Sequence, residues 1–312
     1  MEKQIILEAN ELSFRYPGNQ YDSVKDLSLQ VSEGSCMGII GPNGAGKSTL
    51  ISMLCGLIEE TKGQITYYPQ QFKNKQQFKD RQAIIKKQVA LIPQDYAFYP
   101  ELTVKQNLEY FIALNDYNAS NRKSILDNTL QQCQLTNVIK QKTENLSGGY
   151  KRRLNIAIAL SKSPKIIFLD EPTVGIDPVS RRDIISLLQS LKSSGITLIY
   201  SSHILNEIEE LCDDILLLES GKAISVKHLS NNALLLSFEI SKKEDNISFL
   251  QTMGVEENTS EKTRFQIKIK NERQLKEKLQ ILTENIHNVK NIHYSQNSID
   301  QIYFDSVKAK NC

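Results

Sequence analysis

The sequence predicts an α/β fold, a mainly parallel sheet with an antiparallel edge sheet and a helical subdomain, followed by a small α+β domain. Three observations carry that expectation. Between residues 4 and 222, short apolar runs bounded by turn residues alternate with segments of helical periodicity. A glycine-rich stretch, Gly41-Pro42-Asn43-Gly44-Ala45-Gly46-Lys47-Ser48-Thr49, joins one apolar run to one helix. From residue 234 the pattern changes, and Thr263-Arg264-Phe265-Gln266-Ile267-Lys268-Ile269-Lys270 alternates strictly, as a sheet with one wet face does.

Composition sets the bounds. A chain of 312 residues favours two domains, and 40% hydrophobic with 24% charged residues suits packed domains rather than disorder. Basic and acidic side chains balance, 38 against 36, without the excess of a nucleic-acid binder. The 5 cysteines lie apart with no CxxC pair, which fits a reducing compartment and does not fit structural zinc. No run approaches the roughly eighteen apolar residues of a membrane span, and Met1-Glu2-Lys3-Gln4 does not read as a signal peptide. Any link to a membrane is expected to run through a partner.

The elements follow in order. Residues 4–9 and 26–32 read as strands on either side of an aromatic turn, Phe14-Arg15-Tyr16-Pro17-Gly18. Tyr16 is either a packed turn aromatic or a stacking platform for a purine, and the glycine-rich loop downstream favours stacking. Gly38-Ile39-Ile40 is a buried strand and Leu50 to Leu54 a helix. Thr61 to Ile65 turns into an edge strand. Residues 70–88 are rich in Lys and Gln, which suits a solvated segment better than a contact surface. Val89 to Ile92 is a strand closing at Pro93-Gln94-Asp95, where Gln94 on its own is polar punctuation. Residues 103–140 are mostly helical, with stripes at Val104, Leu108, Phe111 and Ile112 and at Ile125, Leu126, Leu130 and Cys133, separated by a loop over residues 115–120. A helix from Lys151 to Ser161 precedes the strongest strand, Lys165 to Leu169, whose apolar run suits the middle of a parallel sheet. The helix Ser180 to Lys192, the strand Ile196 to Tyr200 and the strand Ile215 to Leu218 complete a first domain over residues 1–225, with its helical subdomain at about 100–162.

Chemistry concentrates at a few points. In the glycine-rich loop, backbone N–H groups can curl around a triphosphate, and the following helix aims its positive end at the same anion. Lys47 supplies a point charge for the outer phosphates, and the Ser48 hydroxyl suits Mg²⁺. Asp170 and Glu171 end the strongest strand where open α/β sheets bind ligands, so one can hold a metal shell and the other polarise water. Ser147 is a good N-cap, and Gly148 and Gly149 form either an anion-binding helix start or a glycine-rich turn. His203 ends a neighbouring strand and so shares a face with Lys47 and Glu171.

Taken together, Gly41 to Thr49, Gln94, Leu146 to Gly149, Ile166 to Glu171, Val174 to Asp177 and His203 resemble the ABC-type ATPases in order and spacing, over about residues 4–222. The resemblance implies a P-loop ATPase core that binds ATP and Mg²⁺. It makes Tyr16 the adenine-stacking aromatic and Gly41, Pro42, Asn43, Gly44, Ala45, Gly46, Lys47, Ser48 and Thr49 the phosphate loop. It makes Ser48, Gln94 and Asp170 the metal-side residues, Glu171 the catalytic glutamate and His203 the γ-phosphate histidine. Ser147, Gly148 and Gly149 would close over ATP held by a facing subunit, with Asp177 in the loop joining the two sites. Tyr150 stands where many members have Gln, and Val174-Gly175-Ile176-Asp177 replaces a commoner Ser-Ala-Leu-Asp; with Lys151-Arg152-Arg153-Leu154 these are similar to the drug- and antibiotic-exporter branch.

One P-loop and one signature imply a dimer with a second copy or a homologous ATPase subunit. The resemblance further implies an integral-membrane permease as partner, no nucleic acid, and a cytoplasmic location on the inner face of the membrane. An importer subunit and a non-transport ATPase acting on ribosomes or DNA are the alternatives. Residues 233–312 read as a small α+β domain: strands at Leu234–Ser241, 263–270 and Val289–Tyr294, a short helix at Asn246–Met253, a helix striped by Leu275, Leu279, Leu282 and Ile286, and a last short helix through Ile299, Ile302 and Tyr303. Dimer contact and regulation are both open as its role.

Overall fold

The computed structural model describes residues 4–67, 85, 87–115, 119–228, 234–240, 250, 252–253, 264–269, 271–287 and 289–296. The chain divides into two compact units, Met1–His228 and Leu229–Cys312.

The first unit is built on two sheets. Strands β1 (Ile5–Phe14), β2 (Val24–Ser32) and β4 (Lys62–Tyr67) form an antiparallel sheet in the order β2-β1-β4. A second sheet of six strands combines β3 (Cys36–Ile40), β5 (Val89–Ile92), β6 (Ile166–Asp170), β7 (Thr197–Ser202), β8 (Asp214–Glu219) and β9 (Lys222–His228). Its order is β5-β6-β7-β3-β8-β9, parallel throughout except for the β8–β9 hairpin. Helix α1 (Lys47–Leu54) follows β3; its Leu50, Ile51, Met53 and Leu54 pack with Leu7, Leu12 and Leu27 of the antiparallel sheet and with Met37, Ile39, Phe168 and Ile199 of the parallel one. Apolar side chains shed water on both sides of α1, which holds it between the layers.

Register places the site. Asp170 on β6 lies opposite Ser201 on β7, and Ile39 and Ile40 on β3 lie opposite Ser201 and Ser202. Three loops therefore leave the sheet at one level and on one edge: the loop into α1, the one after Asp170 and the corner at His203. That is the edge at which parallel sheets expose loop atoms to ligands.

Helices α2 (Val104–Leu114) and α3 (Ala119–Gln132) are joined by α4 (Gly148–Leu160) in the helical region. Thr103 starts α2 with a capping box, its hydroxyl accepting from Gln106 N while the Gln106 side chain returns to Thr103 N. Both expected stripes are buried at Val104, Leu108 and Ile112 and at Leu126, Leu130 and Cys133. Helices α5 (Pro178–Ser193) and α6 (Leu205–Leu211) flank β7 in sequence.

Several boundaries differ from expectation. Helix α4 begins at Gly148 rather than Lys151, because the Ser147 cap supplies the first turn despite two glycines. Helix α3 takes in residues 119 and 120, which read as loop. Strand β9 is not among the strands read from the sequence; by pairing with β8 it carries the first unit to His228 rather than 225. In the second unit, β10 (Leu234–Ile240) lies between β11 (Arg264–Ile269) and β12 (Val289–Gln296), all antiparallel. Helix α7 (Glu272–Glu284) buries Leu282, but Leu279 is 37% and Ile286 50% exposed; Ile286 lies beyond the C-cap Asn285 and has left the helical register. The expectations for residues 70–84, for most of 246–253 and for 299–303 fall outside the described residues.

Cys36, Cys55, Cys133 and Cys212 are free thiols and all buried. Burial pushes the Cys55 thiol up to about 11 and the Cys133 thiol up to about 12, so the reactive thiolate is scarce at neutral pH. Iodoacetamide at pH 8 should leave these four unlabelled in the folded chain and modify them in denaturant. Peptide mass mapping checks this, and rapid labelling of Cys133 in the native state would contradict the packing.

Candidate functional site

The glycine-rich loop is shaped by close approach. A Cβ on Gly41 would lie 2.2 Å from Leu218 O, and one on Gly46 would lie 2.3 Å from Ser23 O at a φ of +103°. No other residue fits either place. Gly46 is also the N-cap of α1 and gives it no side-chain bond, so the first amides of the helix open into the loop.

Lys47 is the charge at the centre. Its side chain is 5% exposed, and its ammonium donates to Gly41 O at 2.9 Å and Pro42 O at 3.2 Å. It also lies 3.1 Å from Glu171 Oε1. The other carboxylate oxygen of Glu171, Oε2, lies 3.1 Å from His203 Nδ1. Lysine, glutamate and histidine thus form one chain across the loops after β3, β6 and β7.

Glu171 holds an unusual backbone, with φ at 45°. A non-glycine residue there costs of order 1–3 kcal/mol and persists only where its surroundings fix it. Ser201 is the fixture. Its hydroxyl accepts from Glu171 N at 3.0 Å and donates to Asp170 Oδ1 at 2.8 Å, which orients both acidic residues from the neighbouring strand.

A cleft of about 1000 Å³ collects these groups, lined by Asn43, Gly44, Gly46, Lys47, Ser48, Thr49, Gln94, Glu171, Val174 and His203 together with residues 18–23, Ser220 and Gly221. Lys47, Ser48, Gln94, Glu171 and His203 are therefore brought together. Tyr16 does not line the cleft; it is 41% exposed, sets its ring edge-on to Phe14, and its hydroxyl meets Thr49 Oγ1 at 3.4 Å. Tyr21, 81% exposed, does line it.

Ser147, Gly148, Gly149 and Asp177 are not in that lining either. Ser147 caps α4 by accepting from Tyr150 N, and Asp177 caps α5 by accepting from Val179 N and Ser180 N. Those amide bonds, the one from Ser180 first, hold the Asp177 carboxyl below the usual carboxylate range.

Three contributors were not singled out from the sequence. Ser201 is one, although a hydroxyl two residues before His203 on a parallel strand was a usable signal. Arg152 is another: 1% exposed, it donates to Pro93 O at 2.8 Å and Gln94 O at 2.7 Å and covers the Tyr96 ring at 5.1 Å. Asn155 is the third, accepting from Ala97 N at 3.1 Å. Arg152 and Asn155 tie the Gln94 segment to α4, the helix that Ser147 caps.

Comparison with known proteins agrees with this geometry. The family described as "ABC transporter" matches residues 24–174. The linearmycin resistance ATP-binding protein LnrL of Bacillus subtilis is 38% identical over 203 residues, covering 65% of this chain and 63% of its own. The Nod factor export ATP-binding protein I of Bradyrhizobium diazoefficiens is 37% identical over 202 residues, covering 65% and 64%. The chain thus spans less than two thirds of the length of these relatives. Among solved structures, cbiO1 of Clostridium perfringens, part of the transporter complex cbiONQ, superposes with a TM-score of 0.65 at 26% identity over 72% of this chain and 89% of that one. A dimeric cassette in a post-hydrolysis state shares the fold at 24% identity, with a TM-score of 0.64 over 72% of this chain and 100% of that one. The loop, the carboxylate pair and the capped helix start at Ser147 all fall within the matched residues 24–174, and the unit Met1–His228 is similar to the ATP-binding cassettes of ABC transporters.

Proposed function

We propose that this chain binds and hydrolyses ATP to power export through a separate membrane permease, acting as a dimer on the inner face of the membrane. The observation that carries the catalytic reading is Glu171, held between Lys47 and His203 at 3.1 Å from each. A triphosphate in the loop competes with Glu171 for the Lys47 ammonium. The carboxylate is then released toward water, still aimed by His203 and by the bond from its own amide to Ser201. Glu171 acts as the general base for attack on the γ-phosphate, and Lys47 neutralises charge on the transferring group. Tyr16, beside Thr49 at the loop, is the proposed adenine platform.

Mg²⁺ fits the donor set: the exposed Ser48 hydroxyl in the cleft and the Asp170 carboxylate oriented by Ser201, with Gln94 at the cleft wall. Few protein ligands are what this ion uses when phosphates and water complete its shell. When bound it would offset phosphate charge.

The dimer reading rests on Ser147, Gly148, Gly149 and Asp177 lying outside the cleft that holds Lys47. A facing copy would bring its own Ser147 helix end to that cleft, where open amides suit an anion. Closure and reopening would then be the mechanical stroke. Export is favoured by the relatives named for linearmycin resistance and Nod factor export. Among the described residues no helix is long and apolar enough to cross a membrane, so the reading needs a permease as partner.

Glu171→Gln should leave nucleotide binding intact and lower turnover by roughly 10²–10⁴. A phosphate-release assay checks it, and turnover within threefold of wild type contradicts the role. Lys47→Ala should weaken nucleotide affinity itself by at least about tenfold, because it removes a desolvated charge-assisted contact to phosphate. Calorimetric titration with ATP measures this, and unchanged affinity would count against the loop assignment.

A further inference from the structure

Behind the cleft lies a buried carboxylate that the chemistry above does not use. Glu207 on α6 is 4% exposed. Its Oε1 accepts from Thr173 Oγ1 at 2.8 Å and lies 3.4 Å from Arg181 Nε. Its Oε2 accepts from Tyr200 Oη at 2.7 Å and from Ser202 Oγ at 2.9 Å, with Thr173 Oγ1 also 2.9 Å away. Burial first and the charge of Glu207 second push the Tyr200 phenol well above its ordinary range, so it stays a donor.

Each partner belongs to a segment that carries a site residue. Thr173, 1% exposed, is in the loop that begins with Glu171. Tyr200 and Ser202 end β7 just before His203. Ser202 Oγ also accepts from Ile204 N at 3.0 Å, so the backbone on both sides of His203 is tied to the same carboxylate. Arg181, on α5, donates from Nη2 to Ile176 O at 3.2 Å, next to Asp177.

Burying a carboxylate costs several kcal/mol unless it is hydrogen-bonded and paired, and apolar packing of the same volume stabilises a fold as well or better. The carboxylate here has three hydroxyl donors and an arginine, all from segments next to site residues. We infer that Glu207 is a positioning residue for ATP hydrolysis, holding the Glu171 loop, the Val174–Asp177 loop and the His203 corner in one register without touching nucleotide. The inference rests on the roles given to Glu171 and His203 above. A displacement of about 1 Å in such loops can cost on the order of 10²-fold in rate.

The test is Glu207→Gln, which keeps the volume and removes the charge. It should lower kcat by about tenfold or more while KM and ATP affinity stay within about threefold, the signature of an interaction realised in the transition state. Tyr200→Phe and Thr173→Val each delete one donor and should lower kcat at least about threefold with the same unchanged affinity. A folded Glu207→Gln protein, verified by circular dichroism, with kcat within twofold of wild type overturns the inference. If that variant does not fold, Tyr200→Phe and Thr173→Val decide, and kcat within twofold in both overturns it. Glu171→Gln is measured alongside. Retained turnover there breaks the underlying reading of the site, whereas retained turnover in the network variants alone breaks only the positioning role.

Discussion

The ion pair between Lys47 and Glu171 is the constraint on which the site depends. An ammonium with 5% of its side chain exposed has surrendered most of its hydration. It is tolerated because two loop carbonyls and a carboxylate replace that water at 2.9, 3.2 and 3.1 Å. Those partners exist only if β3 and β6 end at the same level, two strands apart, with β7 between them. The parallel register supplies that alignment, and the left-handed backbone at Glu171 turns its side chain back across it.

The polar groups around this pair form two tiers. Ser201 aims Asp170 and Glu171 from the neighbouring strand, while Glu207, 4% exposed, gathers Thr173, Tyr200, Ser202 and Arg181. On the other side, Arg152 and Asn155 bind the backbone around Gln94 to α4. The helical region is thereby joined to the cleft wall through side chain to backbone bonds.

Much of this was legible in the sequence. The glycine-rich loop, the apolar strand ending in Asp170-Glu171 and the strand ending in His203 were readable because each combines a local pattern with a chemistry that few other patterns share. Ser201, Glu207 and Arg152 were not, because each acts through a partner distant along the chain: Glu171 N, 30 residues from Ser201, Thr173, 34 from Glu207, and Pro93, 59 from Arg152. Strand β9 was not legible, because Lys222–His228 shows no apolar run of its own and is strand through its antiparallel pairing with β8. The exposure of Leu279 and Ile286 was hidden for a related reason: periodicity describes a helix face but not the extent of the surface that meets it.

We propose that one copy cannot finish a nucleotide site, because Lys47 lines the cleft and the Ser147 helix end does not. Mixing two inactive variants tests it most directly. Lys47→Ala keeps a sound signature, and Ser147→Arg keeps a sound phosphate loop, so a mixed dimer contains one complete site. The account predicts that each variant alone is inactive and that the mixture regains a measurable share of wild-type phosphate release. Full activity of Ser147→Arg alone, or no recovery in a mixture verified to contain mixed dimers, would contradict it.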